Sequence, residues 1–197
     1  MDEVAIRPAS PEDAGILVDL VSMAGSGIPE RVWAEMAGPG ETFRDVGLRR
    51  AGRDEGGFSW RNGWLVEKGG VVAGGLIGTR LPEIPVVIGP DFPAAFVLLQ
   101  ELENLVCGAW YINILAVYPG FRGQGIGAAL LAKAGALAAE TGAEGLALIV
   151  MAENEGAVRL YARQGFTEAA RRQVSAPGWP HDGAAAVLMV TGHASGR

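Results

Sequence analysis

The stretch Val117-Tyr118-Pro119-Gly120-Phe121-Arg122-Gly123-Gln124-Gly125-Ile126-Gly127-Ala128 joins an apolar run to an apolar-striped helix through a turn of uncluttered backbone. The run before it, 110–117, is almost wholly aliphatic, β-branched or aromatic, the composition of a strand covered on both faces of a sheet. After the turn, Ile126, Leu130, Leu131, Ala134, Leu137 and Ala138 fall on one side of a helix, leaving Lys133 and Glu140 for water. Gly123, Gly125 and Gly127 keep side chains away from the first amides of that helix, where its dipole is positive. An anion is expected there.

Glycine turns between strand and helix serve several ligands, and Gly123-x-Gly125-x-x-Ala128 meets the loose dinucleotide fingerprint. A dinucleotide fold places its first glycine directly after the strand, however, and here residues 118–122 intervene. Its acid, due about 20 residues further on, is missing as well: that position falls near Thr141-Gly142, and the end of the next strand carries no carboxylate before Glu153. A P-loop is excluded because no Gly-Lys-Ser/Thr follows the glycines.

Downstream, a second apolar strand at 146–151 leads into Asn154-Glu155-Gly156-Ala157-Val158-Arg159-Leu160-Tyr161-Ala162-Arg163-Gln164-Gly165-Phe166. Taken singly, these residues have plain structural uses. Asn154 can cap a helix, Gly165 can end one, and Tyr161 can be an amphipathic core residue with its hydroxyl at the edge. Together with the first motif they give a resemblance. Arg122-x-x-Gly125-x-Gly127 and Asn154-x-x-Ala157-x-x-Leu160-Tyr161-x-x-x-Gly165-Phe166 resemble the two signatures of the GCN5-related N-acetyltransferase (GNAT) superfamily, in order and separation. The resemblance is tight from about Trp110 to Phe166; the N-terminal half matches only in its order of elements.

The resemblance implies an acetyl-CoA-dependent N-acetyltransferase that passes an acetyl group directly to a primary amine of a small molecule or peptide. Main-chain groups of Leu115, Ala116 and Val117 would hold the pantetheine arm. The amides of Arg122, Gly123, Gln124, Gly125, Ile126, Gly127 and Ala128 would meet the diphosphate. Asn154 would anchor the arm or cap the helix that positions Tyr161, and Tyr161 would be the general acid to the departing thiolate. No acyl-enzyme is implied, so no nucleophile is expected. For the amine, Glu101 and Glu103 are candidate bases through water, beside Tyr111 and Asn113 on the strand and, more remotely, His181. The alternative within the same family is a non-catalytic acyl-CoA-binding regulatory module.

At 197 residues, 49% hydrophobic and 19% charged, the chain has the size and composition of one globular domain, 1–197, with a frayed tail at 191–197. Neither a membrane-length apolar stretch nor a secretory leader is read, so a cytoplasmic protein is expected. The single Cys107, between apolar neighbours, reads as a packed core thiol, and His181 and His193 cannot make a metal cluster. A net charge of −6 disfavours nucleic acid and mildly favours a cationic acceptor.

The fold class expected is α/β with a mixed sheet of about seven strands flanked by helices. Its elements are a strand at 4–7, a helix capped at Ser10-Pro11, a helix from Pro29 and a short helix within 44–55. A hairpin at 60–67 and 71–79, an irregular proline-bearing connection at 81–91 and a helix at 93–106 come next. The two motif segments and closing strands at 167–175 and 184–190 complete the order. A homodimer sharing the C-terminal sheet edge is a further expectation.

Overall fold

The computed structural model describes residues 4–25, 27–175 and 182–192. His181, His193 and the tail beyond Gly192 lie outside the described residues. The elements are β1 (Val4–Pro8), α1 (Ala14–Ala24), α2 (Ile28–Glu35), α3 (Phe43–Ala51), β2 (Gly63–Lys68), β3 (Val71–Arg80), α4 (Ala94–Glu103), β4 (Trp110–Val117), α5 (Ile126–Glu140), β5 (Leu146–Met151), α6 (Glu155–Arg163), β6 (Thr167–Gln173) and β7 (Ala185–Thr191). They form a seven-stranded mixed sheet in the order β1-β2-β3-β4-β5-β7-β6, with β4 and β5 parallel. The chain clusters into two compact units, Met1–Gly78 with Asn113–Leu130 and Thr79–Ile112 with Leu131–Arg197.

In the first unit, β1 enters α1 through a short 3-10 turn with Pro11 at its first position. Asp13 accepts from the Ser10 amide at 2.8 Å and from both nitrogens of the Arg7 guanidinium fork, at 2.8 and 3.0 Å, while Arg7 Nε reaches Glu67 on β2. One arginine thus ties the start of α1 to the first two strands. Leu17 and Leu20 of α1, Trp33 of α2, Val46 of α3, Leu65 of β2, Ile77 of β3 and Ile114 of β4 pack as one core. Gly47 makes room for Trp33: a Cβ there would lie 2.7 Å from the indole. Trp60 to Asn62, expected as strand, is a 3-10 turn instead. The cause is Ser59, which is buried; its hydroxyl satisfies itself by donating to Arg53 O at 2.6 Å and accepting from the Arg61 amide, and that bends the chain.

In the second unit, Leu102 and Val106 pack with Tyr111, Ala147, Ala186, Leu188 and Val190. The helix expected over 93–106 gives way to a 3-10 turn after Glu103. Asn104 explains the change. Its side chain accepts from the Val86 amide and donates to the Val86 carbonyl, both at 2.9 Å, pinning the proline-bearing connection to the helix end. Cys107 is half-buried rather than packed in the core, and its thiol lies 3.5 Å from the Asn104 carbonyl. The α5 stripe read from the sequence is buried at all six positions, although Lys133, expected in water, is half-buried. Among the described residues no helix is long and apolar enough to cross a membrane.

Candidate functional site

The glycine loop belongs to the first unit. Residues 122–125 are exposed and Ile126 is buried, so the turn stands out while α5 is anchored by its first residue. Gly123 and Gly125 have φ of +74° and +81°, a conformation that costs any other residue strain, and a Cβ on either would meet nothing within 4 Å. Open space and positive φ together keep side chains from covering this turn of the backbone. Among the described residues, none of the amides from Gly123 to Ala128 meets a backbone acceptor, and Gly125 O takes the first bond of the helix, from Ala129, at 3.0 Å. The loop is braced from behind: Gln124 donates to Gly120 O at 3.1 Å and accepts from Lys68 on β2. Arg122 Nε donates to Val117 O at 3.1 Å, leaving the outer guanidinium nitrogens for an anion. This cradle of open amides beside a guanidinium fits a diphosphate.

β4 carries an irregularity that the sequence did not announce. The Trp110 amide donates to Gly145 O, beside β5, whereas the Tyr118 amide donates to Ala73 O on β3. Residues an even number apart on a regular strand aim their amides at the same neighbour, so the backbone phase slips within β4. Slips of this kind leave main-chain groups unpaired and recur beside active sites. Gly74 allows the close approach on the β3 side, since a Cβ there would sit 2.4 Å from Ala116 O. Ala116 thus turns its carbonyl onto Gly74, and Val117 spends its own on Arg122. Gly74 was missed in the sequence, although glycine inside a strand is itself a signal of close backbone approach.

The titratable groups gather in the second unit. Asn154 caps α6 through a 3.2 Å bond from the Ala157 amide to its Oδ1, which makes the capping half of its expected role a finding. Two turns later Tyr161 is buried, and burial pushes its phenol up to about 12. Glu103, on the last turn of α4, faces Tyr111 of β4, which is buried and feels Tyr161 in turn. Desolvation raises Glu103 to about 7, with Tyr111 opposing that rise, and burial pushes the Tyr111 phenol well above its ordinary range. Tyr111 is therefore the group that Glu103 and Tyr161 each influence. Glu101 stands apart: it is exposed on the outer side of α4. Asn113 is exposed on β4. No group of three metal-ligating side chains occurs among the described residues.

These features define a mixed α/β fold with an exposed glycine loop at the start of α5. The sequence model of the Acetyltransferase (GNAT) family matches residues 39–166, and the chain belongs to that family, whose members use acetyl-CoA. Among solved structures, one described as an acetyltransferase aligns at 21% identity over 95% of this chain and 98% of that one, with a TM-score of 0.64. An N-acetyltransferase from Staphylococcus aureus Mu50 aligns at 20% identity over 95% and 100%, with a TM-score of 0.61. The ribosomal-protein-S18-alanine N-acetyltransferase from Escherichia coli aligns at 18% identity over 95% and 92%, with a TM-score of 0.57. At these identities the likeness is one of fold. No curated protein matched the chain.

Proposed function

We propose that residues 1–197 act as one acetyltransferase domain, taking acetyl-CoA as acyl donor and a primary amine of a small molecule or peptide as acceptor. The observation that carries this reading is the run of open amides from Gly123 to Ala128 behind two positive-φ glycines, in a chain of this family. Arg122 and those amides bind the diphosphate, and main-chain groups of Leu115 to Val117 hold the pantetheine arm.

The amine attacks the thioester carbonyl, and the carbon–sulfur bond then breaks. Tyr161 stays protonated throughout the physiological range, so its hydroxyl is available to the departing sulfur. A thiol near 8.5 is a stronger acid than a phenol at about 12, so Tyr161 assists chiefly through a hydrogen bond that strengthens as the thiolate develops. Glu103 takes the ammonium proton, directly or through water. A carboxyl poised near 7 is a far better base than an exposed one, and an acceptor amine near 8 to 10 must lose a proton to react. Of the two glutamates considered, burial supports Glu103.

The test is thiol release from acetyl-CoA with a panel of primary amines, for the native protein and Tyr161→Phe. The reading predicts amine-dependent release that falls in the variant. Acetyl-CoA binding with no release for any amine would instead favour a non-catalytic acyl-CoA-binding module.

A further inference from the structure

Three arginines in and after α3 are matched with carboxylates: Arg44 donates to Asp19 at 2.6 Å, Arg49 to Glu41, and Arg61 to Asp54 at 3.0 Å. Arg50, in the last turn of α3, and Arg53, just beyond it, have no carboxylate partner among the described residues. A cation at the end of a helix is ordinarily content with the dipole and water. Arg50 is not so placed: it is half-buried, its Nε is enclosed without an acceptor, and its Nη1 reaches Met36 Sδ at 4.0 Å. A buried donor left unmet costs stability. Arg53 turns back on the same helix end, its Nε donating to the Arg50 carbonyl at 3.4 Å. The chain after it is braced, with Ser59 donating to Arg53 O at 2.6 Å and Asn62 Nδ2 donating to Gly56 O at 3.0 Å. Gly56, at φ +91°, brings no side chain against the guanidinium; a Cβ there would lie 3.1 Å from Arg53 Nη2. Burial, with Arg53 and Arg49 as like-charged neighbours, pushes the Arg50 guanidinium below its ordinary basicity, as expected of a cation short of negative charge.

We propose that Arg50 and Arg53 form a binding site for a phosphate group, built from residues other than those of the glycine loop. A phosphate dianion matches two guanidinium groups in charge and offers three oxygens to their terminal N–H groups. A carboxylate fits less well, because its single charge leaves the second guanidinium unmatched. The chain's own acids bear this out: Asp54, next to Arg53, turns to Arg61, and exposed Glu55 binds neither arginine. The phosphate is carried either by acetyl-CoA, whose ribose bears one, or by a separate ligand, and the recognition chemistry is the same for both. The site itself does not depend on the acyl-donor reading.

The experiment follows the arginine Nε signals of the full chain by nitrogen-15 NMR during titration with inorganic phosphate at pH 8 and constant ionic strength. Arg50→Lys and Arg53→Gln assign the two signals, and the paired Arg44, Arg49 and Arg61 serve as internal controls. The Arg50 and Arg53 signals should move together and saturate while the controls stay still, and in Arg53→Gln the affinity read at Arg50 should weaken at least roughly tenfold. Acetate at the same ionic strength should move both signals far less. Shifts that do not saturate, that the controls share, that acetate reproduces, or that persist unchanged in Arg53→Gln overturn the proposal. Arg53 is exposed, so its variant keeps the test open even if Arg50→Lys does not fold. Acetyl-CoA titration of the native protein and Arg53→Gln then gives the source. A parallel loss of affinity assigns the phosphate to the coenzyme, and an unchanged affinity assigns it to another ligand. Failure of acetyl-CoA to bind either protein would remove the acyl-donor reading, and the inorganic phosphate titration would still decide the site.

Discussion

The ring of Tyr161 meets that of Phe166 with centroids 5.7 Å apart and planes inclined at 54°, and the Phe166 amide donates to the Tyr161 carbonyl at 3.1 Å. Gly165, at φ +84°, makes the reversal that brings Phe166 back onto the last turn of α6. The second sequence signature is thus a physical device: a cap, a helix, a left-handed stop, and an aromatic that holds the tyrosine by its ring.

Tyr161→Phe keeps this ring contact and removes the hydroxyl. We expect kcat for acetyl transfer to fall roughly 10²-fold or more while acetyl-CoA affinity stays within about twofold. Steady-state thiol release combined with calorimetry reads both. An unchanged kcat would remove Tyr161 as the acid.

Gly125→Ala should lose cofactor affinity without meeting a clash. A Cβ there meets open space, but φ +81° strains any L side chain by about 1 kcal/mol or more. Relief of that strain turns the amides away from the diphosphate. Acetyl-CoA titration should show at least roughly tenfold weaker binding, beyond what a small fall in Tm could explain.

Gly74→Ala is different in kind, because its Cβ would fall 2.4 Å from the Ala116 carbonyl. β4 must shift at the very residues proposed to hold the pantetheine arm. The variant should bind acetyl-CoA more weakly, yet bind a diphosphate fragment such as ADP as the native protein does. Equal losses for both would show that the effect is global.

The order of elements was legible because it rests on local rules: apolar period, caps, and glycine or proline punctuation. The buried stripe from Ile126 to Ala138 and the Asn154 cap follow from those rules directly. What escaped was non-local. Ser59 bends residues 60–62 only because it is buried and must be satisfied. Glu101 and Glu103 look alike in sequence, and only packing sinks one and leaves the other in water. The phase slip in β4 arises from which neighbour each amide meets, which no short pattern encodes.

Glu103→Gln should make the protein more stable at alkaline pH. The folded carboxyl titrates near 7, above its ordinary value of 4.5, so between these values the native state binds more protons than the unfolded one. Stability therefore falls as pH rises through that window, and the amide escapes the penalty. Urea denaturation at pH 8 should favour the variant by roughly 1–3 kcal/mol, shrinking toward zero near pH 4.5, while acetyl transfer is lost.

Asp13 has the opposite sign. Its bonds from Arg7 hold it down to about 2 against an ordinary 3.8, so its contribution is complete above pH 4 and drains away between about 4 and 2. Asp13→Asn should cost about 2 kcal/mol at pH 7 and very little at pH 2, read from urea curves at each pH.

Calorimetric titration of the purified protein with acetyl-CoA, with NADH as the control, tests the central claim most directly. Micromolar binding of acetyl-CoA and none of NADH is the predicted result. A folded protein that binds no acetyl-CoA would contradict the account, leaving the open amides from Gly123 to Ala128 as a feature of the turn alone.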